Sequence, residues 1–346
     1  MLTKKVLLII LTGVIAIAIL IAGFMLRNKQ QDDYRPVAIL GPVELPKAPH
    51  WDPHRGTGTL FFVDVYNSVV HRYEPKKKRH TFAKVGEREL AFIIPIVNTT
   101  NKFIISYGSN LAVITWNGTN ETTPVTPIEV ANIDPGNYVY RANEGKVSPS
   151  GSLFVGTHSP FENGNFSLNK AGLYACSKTL KCKKVLSDVS VSNGMQWSAD
   201  AKKFYYIDSL AYTVESFSYD KETDALSNRA LIFNFTEARV PGVPDGMTID
   251  NEGMIWVTAF NGHQVLRINP ETREVLEKIE LDALQITSAA FVGSELGDFY
   301  ITSGAYKLTE QQKKDYPHSG YIFRMSNFRV TGRAGVPFDL DPQYLQ

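Results

Sequence analysis

Short apolar alternations bounded by glycine and polar turns recur along most of the chain. They read Gly58-Thr59-Leu60-Phe61-Phe62-Val63-Asp64, Lys102-Phe103-Ile104-Ile105-Ser106-Tyr107 and Gly151-Ser152-Leu153-Phe154-Val155-Gly156-Thr157, and then continue. The later copies are Lys203-Phe204-Tyr205-Tyr206-Ile207-Asp208, Gly253-Met254-Ile255-Trp256-Val257-Thr258 and Asp298-Phe299-Tyr300-Ile301-Thr302-Ser303. Such runs predict β-strands. A second strand follows several of them, as in Val69 to Tyr73, Leu111 to Trp116, Val214 to Tyr219 and Gln264 to Ile268. A repeat of roughly fifty residues is the length of a four-stranded propeller blade, and six copies predict an all-β, six-bladed β-propeller. A pair of β-sandwiches is the competing arrangement, but it gives no reason for so regular a period.

Ahead of the repeats, Val6 to Met25 form an apolar run long enough to cross a bilayer, flanked by Lys4, Lys5, Arg27 and Lys29. The expected organisation is a cytoplasmic stub and transmembrane signal-anchor helix over 1–26, a polar linker over 27–40 and the propeller over 41–346. Five glycosylation triplets begin at Asn98, Asn117, Asn120, Asn165 and Asn234, all after the apolar run. They place the propeller on the luminal or extracellular side, as a single-pass membrane protein, or secreted if the segment is cleaved near Gly23. Cys176 and Cys182 bracket a polar turn between strand-like segments, and a hairpin disulfide suits that compartment, with two free thiols as the alternative. The formal net charge of +1 supplies no field for nucleic acid, so the partners expected are a small molecule and the membrane.

Polar islands interrupt the strand pattern at matching points. They are Arg141-Ala142-Asn143-Glu144-Gly145-Lys146, Ser192-Asn193-Gly194, Ile207-Asp208-Ser209-Leu210-Ala211-Tyr212, Pro244-Asp245-Gly246-Met247-Thr248-Ile249-Asp250 and Asn261-Gly262-His263. In combination they resemble the SMP-30/gluconolactonase family, which includes regucalcin and the insect luciferin-regenerating enzymes. The resemblance implies one divalent cation in the propeller channel and hydrolysis of small lactones or related esters. By it, Asn193 and Asp208 are metal ligands, Asp208 is also the catalytic base, and Arg141 and Asn143 contact substrate. An acidic substrate contact falls on Phe161, with Glu162 beside it. A metal-binding Glu falls on Lys47, in Leu45-Pro46-Lys47-Ala48-Pro49-His50-Trp51.

A hard cation such as Ca²⁺ or Mg²⁺, or Zn²⁺ or Mn²⁺ in its place, takes carboxylate and amide oxygens and activates water that Asp208 would deprotonate. Lys47 puts that ion in doubt, because an ammonium for a carboxylate changes the site by two charges. Three arrangements remain open. Glu44 restores the carboxylate, Lys47 points away, or its ammonium occupies the cation position and pairs with Asp208. The first two keep a metal-dependent hydrolase. The third leaves a catalytically silent propeller that binds a small molecule or a protein partner. His50 and His158 lie near the expected channel without the spacing of a zinc site, and the four tryptophans read as blade packing.

Overall fold

The six repeats fold into six four-stranded antiparallel sheets arranged as the blades of a propeller, in a computed structural model that describes residues 35–137, 140–162 and 164–345. The expected six-bladed, all-β architecture is therefore present. The anchor expected over 1–26 lies outside the described residues. None of the helices among the described residues is long and apolar enough to cross a membrane.

The apolar alternations turn out to be the second strand of each blade rather than the first. In front of each runs an inner strand: Pro46–Asp52, Ile93–Pro95, Arg141–Val147, Ser192–Trp197, Val243–Ile249 and Gln285–Val292. Five of these six slip register at one point, between Lys47 and His50, Ala142 and Glu144, Ser192 and Met195, Pro244 and Met247, and Ile286 and Ser288. A bulge adds a residue to one strand and re-aims its side chains, so a bulged strand loses the period-two signature. That is why the inner strands read as polar islands.

Gly194 and Gly246 show why glycine stands in two of those islands. A Cβ on Gly194 would lie 2.6 Å from the Met247 Cβ, and one on Gly246 would lie 2.5 Å from the Ser288 Oγ. The inner strands of the fourth, fifth and sixth blades thus approach more closely than any side chain at those points allows.

The ring closes through the other end of the chain. Val37–Leu40 pairs antiparallel with Ile322–Met325 as the outermost strand of the sixth blade, whose other three strands come from the C-terminal part. The last four residues of the expected linker are therefore propeller, and the unit begins at Val37. An edge that would otherwise stay open is paired, and the first blade is tied to the last.

Between blades the core is aromatic. Phe154, Trp197, Phe204 and Tyr219 form one cluster, and Trp256, Phe291, Phe299 and Phe328 another. Trp51, Trp116, Trp197 and Trp256 are all buried, in keeping with packing. Cys176 and Cys182 face each other across the outer hairpin of the third blade and are joined as a disulfide. A helix absent from the expectations spans Glu310–Asp315. Its Thr309 Oγ accepts from the Gln312 N–H, and the Gln312 side chain accepts from the Thr309 N–H. Six residues held by a capping box are too few to leave a helical period.

His71, stacked on Phe62 with centroids 4.6 Å apart and hydrogen-bonded to His80, is pushed by burial down to a pKa of about 3, and the neighbouring His80 adds to the shift. The unfolded chain then binds the proton more readily than the folded one. Stability is complete above about pH 6.5 and is lost as pH falls toward 3, at about 1.4 kcal/mol per unit for this group. Urea denaturation at pH 7.5 and 5.5 should show that loss, and His71→Phe should reduce it, leaving the part contributed by the other buried histidines His50 and His158. An unchanged slope in the variant would refute the assignment.

Candidate functional site

The five bulges point inner-strand side chains at the propeller axis, and three of them meet. The Lys47 Nζ donates to the Asn193 Oδ1 at 2.8 Å and to the Asp245 Oδ1 at 3.0 Å, with all three residues buried. Asn193 is fixed from its other end, because its Nδ2 donates to the Ser209 Oγ at 2.8 Å and that hydroxyl donates to the Pro244 carbonyl at 2.6 Å. The Asn143 Nδ2 donates to the Ser192 carbonyl at 2.8 Å, and the Thr287 Oγ1 donates to the Pro46 carbonyl at 2.5 Å. Side chains of neighbouring blades are thus linked to each other's backbone around the axis, which satisfies buried polar groups and fixes the ring.

This cluster stands at the waist of the channel. On its own strand Lys47 lies between Leu45, which lines a wide mouth of about 970 Å³, and Ala48, which lines a narrower compartment of about 330 Å³. Asn143 lies likewise between Arg141 on the mouth and Glu144 on the narrow side. The Glu144 carboxyl is raised by burial against the pull of Lys47, and the Lys146 ammonium is lowered by burial. Asp245 is raised by burial as well, while Lys47 holds it back.

The expected catalytic Asp208 is elsewhere. Its Oδ2 accepts from the Ser190 N–H at 2.9 Å and its Oδ1 from the Val191 N–H at 3.0 Å, so both oxygens anchor the entry to the inner strand. Asp64 does the same in the first blade, accepting from the Glu44 and Leu45 N–H groups at 3.2 and 3.1 Å. Lys47 stands two residues after Leu45, as Asn193 stands two after Val191, so these two are equivalent positions of the repeat. The match between Val63-Asp64 and Ile207-Asp208 was visible in the sequence and marks Asp208 as a repeated strand anchor. The carboxylate that does reach Asn193 and Lys47 is Asp245, which lay within a quoted island but received no role.

The remaining expectations divide. Glu44 does not restore a carboxylate beside Asn193: its N–H is held by Asp64, its carbonyl accepts from the Ala305 N–H at 2.8 Å, and its charge bears on Lys307. Arg141 does line the mouth, where its guanidinium donates to the Ala142 carbonyl at 3.1 Å and to the Tyr66 hydroxyl at 3.3 Å. Glu162 is exposed on a two-stranded hairpin, whereas Phe161 lines the mouth. The disagreement with the expected pairing is one of partner: Lys47 does occupy the centre, but against Asp245 instead of Asp208.

A six-bladed propeller with polar bulges converging on its axis defines a class of channel-centred site, and the comparisons place the chain within that class. The family described as SMP-30/Gluconolactonase/LRE-like region matches residues 45–305, and the chain belongs to this family. It is similar to regucalcin of Xenopus laevis, 31% identical over 293 residues that span 84% of this chain and 94% of that one. It is also similar to the solved luciferin-regenerating enzyme, with a TM-score of 0.80 and 34% identity over 88% of this chain and 100% of that one. The calcium-binding protein regucalcin of Agrobacterium tumefaciens shares the fold, with a TM-score of 0.78 at 21% identity over 89% and 98% of the two chains.

The waist does not fit the divalent cation that the family implies. The two oxygens that would hold it, on Asn193 and Asp245, already face an ammonium at hydrogen-bonding distance. Among the described residues no three acidic, histidine or cysteine side chains are grouped to hold a metal. Charge gives the same answer. Lys47, Asp245, Lys146 and Glu144 sum to zero whether the Lys146 and Glu144 pair is ionised or neutral. A carboxylate at position 47 would bring the sum to −2, which a dication balances. The attraction between Lys47 and Asp245 is of the order of 5 kcal/mol at an effective dielectric of 20, before the cost of burying either group.

Because Asp208 holds two buried N–H groups, Asp208→Ala should cost about 2 to 4 kcal/mol of folding stability. It should leave ligand affinity at the mouth unchanged. Paired denaturation and ligand titration check this; an intact fold with lost binding would return Asp208 to the site.

Proposed function

We propose that this protein is a metal-independent propeller that binds a small lactone, a related ester or the corresponding acid in the mouth of its channel. The observation that carries the reading is the Lys47 ammonium, seated between the Asn193 and Asp245 oxygens. It neutralises a buried carboxylate that would otherwise require a cation, so the pocket is complete without one. Arg141 on the mouth offers a cation to carbonyl or carboxylate oxygens. Asp208 is anchored to backbone and Asp245 is engaged by Lys47, so neither is free to deprotonate a water at the waist, and the nearby Glu144 carboxyl, raised by burial, faces the narrow compartment instead of the mouth.

Hydrolysis of a small lactone is the second reading, supported by family membership and by Arg141, Asn143 and Asn193, which stand where the resemblance puts family site residues. In that reading Asp245, not Asp208, is the carboxylate next to the reacting carbonyl. Turnover of aldonolactones above an Asp245→Asn control would establish it.

Metal analysis separates the two. The purified wild-type protein should contain no stoichiometric divalent metal, and its melting temperature should not respond to added Ca²⁺ or Mn²⁺. Lys47→Glu should make stability depend on the cation, rising by about 2.7 kcal/mol once free metal reaches a hundred times its dissociation constant. Stoichiometric metal in the wild type, lost on Asn193→Ala, would overturn the proposal.

The proposed setting is the luminal or extracellular face of a membrane. Asn98, Asn117, Asn120 and Asn165 are exposed, and Asn234 is partly so, which leaves room for glycans on this surface. Treatment with a peptide N-glycosidase should shift the mass of protein made in a eukaryotic secretory system. An unchanged mass would remove the assignment.

A further inference from the structure

The wide mouth is lined as a site for an aromatic ring. Tyr66 and Tyr306, brought together from the first and last blades, stack with centroids 4.2 Å apart and planes 22° apart. On the third blade, Phe161 and Phe166 of the short hairpin meet edge-on at 4.9 Å, and Phe166 meets His158 at the same separation. Phe161 is 58% exposed, an apolar ring left in water at the rim of a cavity. It stands where the family resemblance calls for an acidic substrate contact.

The mouth carries Arg88, Arg141 and Lys307 against the single lining carboxylate Glu89. The Arg141 guanidinium lies over the Tyr66 ring at 5.4 Å, and the Lys307 ammonium lies over the Tyr306 ring at 4.9 Å. Neither forms an ion pair with a carboxylate among the described residues, whereas Arg88 on the same rim is paired with Glu129 at 3.1 Å. Two cations therefore bracket the tyrosine stack without a direct carboxylate partner, although the Glu44 charge bears on Lys307.

We propose that the ligand is an aryl carboxylate or its cyclic ester, rather than a polyol acid or sugar lactone. The inference rests on the reading of the channel mouth as a small-molecule site. A polyol needs acceptors for its hydroxyl groups; Glu89, Ser109 and Asn110 offer them on one side of the mouth, but a phenyl ring at position 161 offers none, so hydroxyls on that side would be desolvated without partners. An aryl ring loses nothing there. It covers Phe161 and the tyrosine stack, while its carboxyl oxygens turn toward Arg141 and Lys307.

Calorimetric titration of the full chain with 3-phenylpropionate, dihydrocoumarin, gluconate and gluconolactone tests this, with EDTA and again with Ca²⁺. Both aryl probes should bind at least about tenfold more tightly than the polyol pair. Phe161→Glu and Tyr66→Ser should each weaken aryl binding about fivefold, at an unchanged melting temperature, because both side chains are substantially exposed. Equal or tighter binding of the polyol pair, no binding of any probe, or variants that leave aryl affinity intact would overturn the inference. Aryl preference that appears only with Ca²⁺ would support this specificity and remove the metal-independent reading. Polyol preference in EDTA would do the reverse.

Discussion

The arrangement at the axis depends on one buried ammonium. Lys47 bridges the first blade to the fourth through Asn193 and to the fifth through Asp245, joining strands 146 and 198 residues apart in sequence. A propeller must hold its inner strands at a fixed distance from the axis while carrying polar groups there, and each unpaired buried charge costs several kcal/mol. A dication can meet that requirement by gathering carboxylates. Here a covalently attached monocation meets it with one carboxylate and one amide. The charge at the waist then no longer depends on what is dissolved in the surrounding compartment.

Bulges and glycines make that meeting possible. The register slips turn Lys47, Asn193 and Asp245 inward, and Gly194 and Gly246 let adjacent inner strands come close enough for the three side chains to touch. The same devices separate the channel into two compartments of different character. The narrow one keeps the buried Glu144 carboxyl and the half-buried Lys146 side by side. The wide one exposes aromatic faces and two cations that stand outside any ion pair among the described residues. Specificity is therefore expected to reside in the mouth, while the waist governs charge and rigidity.

Asp208 and Asp245 show how family resemblance and physical role part company. Both are buried aspartates inside polar islands. One binds two N–H groups of its own blade and repeats the role of Asp64, and the other crosses the axis to a lysine. Aligning the blades with each other distinguishes them, since Asp64 has a counterpart in Asp208 but none in Asp245. A comparison along the chain, one motif at a time, does not.

The sequence by itself determined the blade count, the second strand of each blade and the third strand of four, the family and the anomaly at Lys47, and it favoured the Cys176–Cys182 pairing. These are carried by local periodicity, by short-range spacing and by residue identity, all of which survive in one dimension. It did not determine the inner strands, whose bulges erase the period, or the closing strand at Val37–Leu40, whose partner lies almost three hundred residues away. Nor did it decide which carboxylate Lys47 would find. That choice belongs to the tertiary structure alone, because side chains that share an axis are selected by the angle at which each blade delivers its bulge, and no spacing along the chain encodes that angle.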